Sequence, residues 1–385
     1  MNDPFAFLAE RLQTLIPRYA VRRLRPRQAG LHPLTLADGR LLVNFASNDY
    51  LGLAGRVVPH SESRAAGSGA SPLVCGYTSE HHELCRLLAE WEQTEDAVLL
   101  PSGYAACSGV AATLPQAGDL ILSDQLNHAS LIDGCRLSPA QKLIYPHADA
   151  GAVGKLLARN RSQFNRVWII TDGVFGMDGD LAPLEQLCDL ADEYQAILIV
   201  DEAHGTGVLG DDGSGACAHL GVKSRVPIRI GTLSKAIGSH GGFVAGPQVV
   251  IDYLVNFCRP LVFSTAASPL TIAAAAAGVE TIRSAPELRQ RLGLLAQWVK
   301  AALGLGSGAV QAASIPIIPV PLGTNDRALE VSRQAEAAGL LIPAIRPPTV
   351  PEGTARLRIS LSAAHSDEQI EALITFLRTV PECHR

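Results

Sequence analysis

The stretch "ILIVDEAHGTGVLG", residues 197–210, runs from an apolar strand into a glycine-rich turn and imitates two motifs at once. Its middle spells the DEAH box of nucleic-acid motors, and Gly205, Gly207 and Gly210 fit GxGxxG. A motor needs a GxxxxGK[ST] loop upstream, because the acidic pair only positions Mg²⁺ on a nucleotide already cradled there. The chain has one Gly-Lys pair, Gly154-Lys155, which continues into Leu156 and lacks the second glycine. A dinucleotide loop needs a helix straight after its glycines, whereas "DDGSGA" follows here, so these glycines read as a turn. What remains is a buried strand ending in Asp201, with His204 three residues on. Strand ends of a parallel sheet open into the ligand crevice, and a carboxylate buried there calls for a cationic partner.

That partner is Lys235 in "GTLSKAIGSHGG" (231–242), just after another apolar run and among small residues that leave room around its ammonium. Thr232 and Ser234 supply hydroxyls suited to a phosphate, and the setting reads as a Schiff-base lysine. An aspartate, a histidine three residues later and a lysine 34 residues after the aspartate, all at strand ends, fit pyridoxal phosphate (PLP) better than any other cofactor.

Working outward, "DAVLL" (96–100), "DLILSD" (119–124), "KLIYP" (142–146), "RVWIITDG" (166–173), "AILIVDEAH" (196–204), "PIRIGTLSKA" (227–236) and "GGFVAG" (241–246) are apolar runs bounded by turn residues. Helical patterns such as "APLEQLCDLADEYQ" (182–195) lie between several of them. Non-alternating strands separated by helices predict an α/β core with a mostly parallel sheet covered on both faces, over about residues 45–260. Beyond Leu261 an Ala-rich helix (266–284), a helix near 285–304 and "ARLRISLS" (355–362) predict a smaller α+β domain. The expected division is an N-terminal helix and arm (1–44), a large domain (45–265) and a small domain (266–385).

The 385 residues carry a net charge of −5 and are 47% hydrophobic, without an apolar stretch as long as a membrane span. Neither nucleic acid nor membrane is an expected partner. Eight cysteines without a CxxC pair suggest neither a zinc site nor a disulfide scaffold, and "MNDPFAFLAERLQ" lacks the features of a targeting segment. A cytoplasmic, metal-free protein is expected. Arginines at 11, 18, 22, 23, 25 and 27, with no Asp or Glu between Arg11 and Ala37, form a basic run that reads as a solvated arm or as a contact for an anionic substrate.

The chain resembles the α-oxoamine synthases, fold type I PLP enzymes that condense an amino acid with an acyl thioester and release CO₂. The resemblance rests on "NFASNDYLGL" (44–53), "GSGAS" (67–71), "PSGYAA" (101–106), "NHASLIDG" (127–134), "TDGVFGMDGD" (171–180), "DEAHGTG" (201–207), "TLSKA" (232–236) and "RPPTVPEGTARLR" (346–358). It implies an aspartate-aminotransferase-like fold and four catalytic residues. Lys235 would bind the cofactor and act as base, and Asp201 would keep the pyridine nitrogen protonated. At ~4 Å and an effective dielectric near 20 such a pairing is worth about 4 kcal/mol, on the order of three pK units. His204 would bond the ring hydroxyl, and His128 would stack on the ring and face the substrate. Gly103, Tyr104 and Thr232 would hold the phosphate, Gly176 would lie near the ring, and Ser264 or Thr265 would reach the phosphate of a partner subunit, making a homodimer with a shared site. Arg346 and Asn48 would bind the amino-acid carboxylate, with Arg22 and Thr349 also touching substrate.

Within that family "AIRPPTVPEGTARLR" (344–358) is most similar to members that join L-alanine to a pimeloyl thioester on CoA or an acyl carrier protein. Members that use glycine and succinyl-CoA more often show Tyr-Pro where this chain has Pro347-Pro348. Members that use glycine and acetyl-CoA remain the alternative, as does a PLP-binding homologue without activity. Two positions depart from the family pattern: Gly176 stands where a serine is usual, and Asp172 where a glutamate is. Loss of the serine hydroxyl would cost about 1 kcal/mol of cofactor contact unless water replaces it.

Overall fold

A computed structural model describes residues 4–28, 32–37, 39–55, 65–305 and 314–384. By contacts the chain divides into two units, one made of residues 1–48, 177–179 and 292–385, the other of residues 49–176 and 180–291.

The first unit begins with α1 (Ala6–Gln13), β1 (Leu34–Ala37) and β2 (Arg40–Asn44). The second unit follows with α2 (Ser79–Glu92), β3 (Asp96–Leu100), α3 (Gly103–Thr113), β4 (Leu120–Asp124), α4 (Ala129–Leu137), β5 (Gln141–Tyr145), α5 (Ala150–Asn160) and β6 (Val167–Asp172). It continues through α6 (Leu184–Tyr194), β7 (Ile197–Asp201), α7 (Ala216–His219), β8 (Ile228–Thr232), β9 (Gly242–Gly246), α8 (Gln248–Phe257), α9 (Arg259–Val262) and α10 (Pro269–Ser284). Helix α11 (Pro286–Ala302) contains the boundary, and β10 (Ile317–Gly323), α12 (Asn325–Ala337), β11 (Leu340–Leu341), β12 (Ala344–Ile345), β13 (Ala355–Ser360) and α13 (Asp367–Leu377) complete the first unit.

In the second unit seven strands form one sheet in the order β3-β9-β8-β7-β6-β4-β5. All residues of β4, β6, β8 and β9 are buried, the pattern of a sheet covered on both faces. The neighbours from β8 to β5 run parallel, and β9 is antiparallel to both β8 and β3. The reason lies in the connection: only residues 233–241 separate β8 from β9, too few for a crossover helix. Reading a parallel strand order from apolar runs therefore holds for all but this one. The carboxyl ends of β4, β6, β7 and β8 carry Asp124, Asp172, Asp201 and Thr232, so the polar residues gather at one edge.

The boundaries expected at 44/45 and 265/266 differ from the contact division, which falls after Asn48 and inside α11. Helix α10 stays with the sheet because its small residues admit close backbone approach: a Cβ on Gly278 would strike the carbonyl oxygen of Ile237. The N-terminal arm joins the C-terminal residues because β2 pairs in parallel with β11. In that first unit β10, β13 and β12 form a second, antiparallel sheet, with Leu357 and Ile359 of β13 fully buried. No helix among the described residues is long and apolar enough to cross a membrane.

Candidate active site

Asp201 ends β7, buried, beside two strands whose ends carry the other groups. Its Oδ1 accepts the Ala203 N–H at 2.8 Å, and its Oδ2 accepts the Cys107 thiol at 3.0 Å. Burial, then the charge of Asp201, hold the Cys107 thiol well above its usual range, so it stays a donor. Asp172 ends β6 as the cross-strand partner of Asp201. Burial, then the charge of Asp201, raise the Asp172 carboxyl well above the carboxylate range.

His128 caps α4, and its backbone N–H donates to Asp172 Oδ2 at 2.7 Å. Its Nδ1 meets Ser130 Oγ at 2.6 Å, which fixes the ring plane. Burial lowers its pKa, keeping the imidazole neutral and suited to lie against an aromatic ring. Asn127 ties this corner together by donating to Ser123 Oγ and the Ile170 carbonyl while accepting the Asp172 N–H.

His204 lies between two groups: Nε2 is 2.8 Å from Lys235 Nζ, and Nδ1 is 2.7 Å from the Tyr50 hydroxyl. Thr232 Oγ1 donates to the Gly241 carbonyl at 3.0 Å, so it accepts from Ser234 Oγ at 2.8 Å. Helix α3 starts at Gly103, where a Cβ would sit 3.0 Å from Thr232 Oγ1. A helix N-terminus with bare glycine beside two hydroxyls is a cradle for a phosphate. Lysine amine, buried carboxylate, histidines and phosphate cradle fit PLP, and Lys235, Asp201, His204, His128, Gly103 and Thr232, with Ser234 beside it, are the residues that would hold it. Bound there, PLP supplies an electron sink for the amino-acid α-carbon.

The other expected residues are placed as follows. Tyr104 directs its hydroxyl to Asp133 and its ring edge to His128, 6.3 Å between centroids. Ser264 and Thr265 line a cavity of about 280 Å³ with Tyr77, His81 and Leu261, away from the Lys235 hydrogen bonds. In the first unit Arg22 donates to the Pro347 carbonyl at 3.2 Å and approaches Thr349 Oγ1 at 3.5 Å. Arg346 donates to the Tyr19 carbonyl, and its buried Nε has no hydrogen-bond partner. Asn48 accepts from Arg358 at 3.0 Å.

Sequence reading missed Tyr50, Cys107 and the use of Glu202. The signal for Tyr50 was its place in "SNDYLGL"; Cys107 had none, because nothing local ties α3 to β7. Glu202 accepts the N–H groups of Ala216 and Cys217, both at 2.7 Å, and a Cβ on Gly205 or Gly215 would strike its carboxylate. The glycines of "HGTGVLGDDGSG" thus wrap a buried carboxylate behind Asp201, and Gly207 and Gly210 take positive φ in the turn.

Residues 40–377 match the family model for aminotransferase class I and II. The 8-amino-7-oxononanoate synthase of Anaeromyxobacter dehalogenans (strain 2CP-1 / ATCC BAA-258) is 44% identical over 381 residues, covering 97% of this chain and 95% of the relative. The chain belongs to the 8-amino-7-oxononanoate synthase family. A solved structure of that family from Francisella tularensis has 26% identity and a TM-score of 0.72, covering 88% of this chain and 98% of its own. A high-resolution structure of SPT with PLP superposes at a TM-score of 0.87 with 25% identity, covering 97% and 96%. The family is PLP-dependent.

Proposed function

We propose that the chain joins L-alanine to a pimeloyl thioester, carried by CoA or by an acyl carrier protein, giving 8-amino-7-oxononanoate, CO₂ and the free thiol for biotin synthesis. The observation that carries the reading is the Lys235 amine on His204, on the same sheet edge as a buried Asp201 carboxylate, in a chain of this family. Lys235 Nζ takes the α-proton of the amino acid, a task open to a lysine amine. Asp201 holds a proton opposite its carboxylate, fixed by the Ala203 N–H and the Cys107 thiol. His128 forms one wall of the site and orients the ring against it. Arg346 takes the amino-acid carboxylate, supported by its unpartnered buried Nε, and Asn48, Arg22 and Thr349 assist.

Ser264 and Thr265 serve the phosphate in the partner of a homodimer. Exposed apolar side chains near them, Phe263 at 71% and Val74 at 76%, support a surface that a second subunit covers. The eight cysteines are unpaired, as in a reducing cytoplasm.

The test is release of free thiol from a matrix of L-alanine or glycine with acetyl-, succinyl- or pimeloyl-CoA and pimeloyl-carrier protein. Turnover is expected with L-alanine and the pimeloyl thioesters. Turnover confined to glycine and acetyl-CoA contradicts the reading.

A further inference from the structure

We propose that Tyr50 and Gly176 are positioning residues that fix the tautomer and the place of the His204 ring; the inference rests on the PLP-dependent reading above. His204 is largely buried and Tyr50 wholly so, and their contact runs through Nδ1 at 2.7 Å. Both nitrogens of the imidazole are engaged, Nδ1 by a phenol and Nε2 by Lys235 Nζ at 2.8 Å. A neutral imidazole has one donor and one acceptor nitrogen, so the direction of the bond at Nδ1 sets which nitrogen carries the proton. With the Tyr50 O–H donated to Nδ1, the N–H is left on Nε2, the nitrogen that faces the reacting side of the site. An N–H in that position is the donor a cofactor oxygen needs.

Gly176 supplies the space. A Cβ there would collide with Nε2, with Cδ2 at 2.8 Å and Cε1 at 2.9 Å, so any side chain would drive the ring off Lys235. The φ of Gly176 is not in the left-handed region, so the need is for volume and not for backbone freedom. Gly176 thus acts on the cofactor through His204: without a side chain there, the imidazole occupies the room.

The test is a double-mutant cycle on PLP affinity, read by absorbance titration of the purified enzyme, with the thermal midpoint of the cofactor-free protein as a control. Tyr50→Phe keeps the ring and removes the donor, and should weaken PLP about fivefold, the worth of one buried hydrogen bond. Gly176→Ala should weaken it at least as much. In a His204→Ala background neither substitution should change the dissociation constant by as much as about twofold, because the group each acts through is gone. Full effects retained in that background, or wild-type affinity in Tyr50→Phe, overturn the inference. If the variants do not fold, ¹⁵N spectra of labelled histidine in the wild-type holoenzyme decide: a proton on Nε2 of His204 is expected, and one on Nδ1 overturns it. Failure of wild type to bind PLP at all would instead sink the proposed function.

Discussion

Asp172 and Asp201 are cross-strand partners at the ends of β6 and β7, and two buried carboxylates so placed do not both stay ionised. Burial, then Asp201, raise the carboxyl of Asp172, and what it does there, accepting the His128 N–H, an amide oxygen can also do. Asp172→Asn should therefore keep kcat within about tenfold, whereas Asp201→Asn, which removes the charge, should lower it by about a hundredfold or more. Steady-state kinetics at saturating PLP decide between them; equal losses would mean that the charge is shared. A second residue-scale prediction concerns His365, which stacks on Phe45 at 4.4 Å and accepts the Ser362 N–H at 2.9 Å. Burial, then nearby His32, lower its pKa to about 4. The unfolded chain gains a proton near pH 6.5 while the folded chain does not, so stability falls as pH drops through that window. Between pH 7.5 and 5 wild type should lose about 2 kcal/mol more than His365→Gln in chemical denaturation. Asp201, His204 and Lys235 were legible in sequence because each follows an apolar run at a strand end. Cys107 was not, since its partner lies 94 positions away and a thiol in a helix signals only packing.

Elements were legible where a pattern had one structural meaning. Apolar runs gave every strand of the large sheet to within a few residues, and the expected Ala-rich helix at 266–284 became α10 at Pro269–Ser284. The direction of β9 and the allegiance of α10 were not, because both depend on loop length and close contacts that composition does not encode. Gly278 is the point of that contact, two residues in the chain from Lys235 on the other side, at Ile237. Gly278→Val should lower stability by about 1–3 kcal/mol and loosen the loop that carries Lys235. Calorimetry and PLP off-rates should show both; unchanged thermal behaviour would mean that α10 shifts freely. At the far edge, His147 bonds Asp124 at 3.1 Å and Asp180 at 2.7 Å, joining the end of β4 to the loop after Gly176. Those two carboxylates raise its pKa to about 10. The stabilisation is complete below pH 6.5 and lost as pH rises through about 10. His147→Gln should thus lower the thermal midpoint at pH 7 and shrink the further loss seen between pH 8 and 10.

For the whole molecule, the proposed dimer makes oligomeric state and cofactor binding one property. Placing a charge on the exposed apolar surface, as in Phe263→Asp, should yield monomers by sedimentation and weaken PLP by at least about tenfold, because a phosphate ligand leaves with the partner. Monomers with wild-type PLP affinity would confine Ser264 and Thr265 to their own subunit. The net charge of −5 offered no sign of this surface, and no periodicity in the sequence marks where a second copy would sit. In the proposed reaction Lys235 carries the chemistry. Its most direct test is borohydride reduction of the PLP-loaded protein followed by peptide mapping. A pyridoxyl adduct on Lys235, absent from Lys235→Ala, is expected; an adduct on another lysine, or none, would contradict the account.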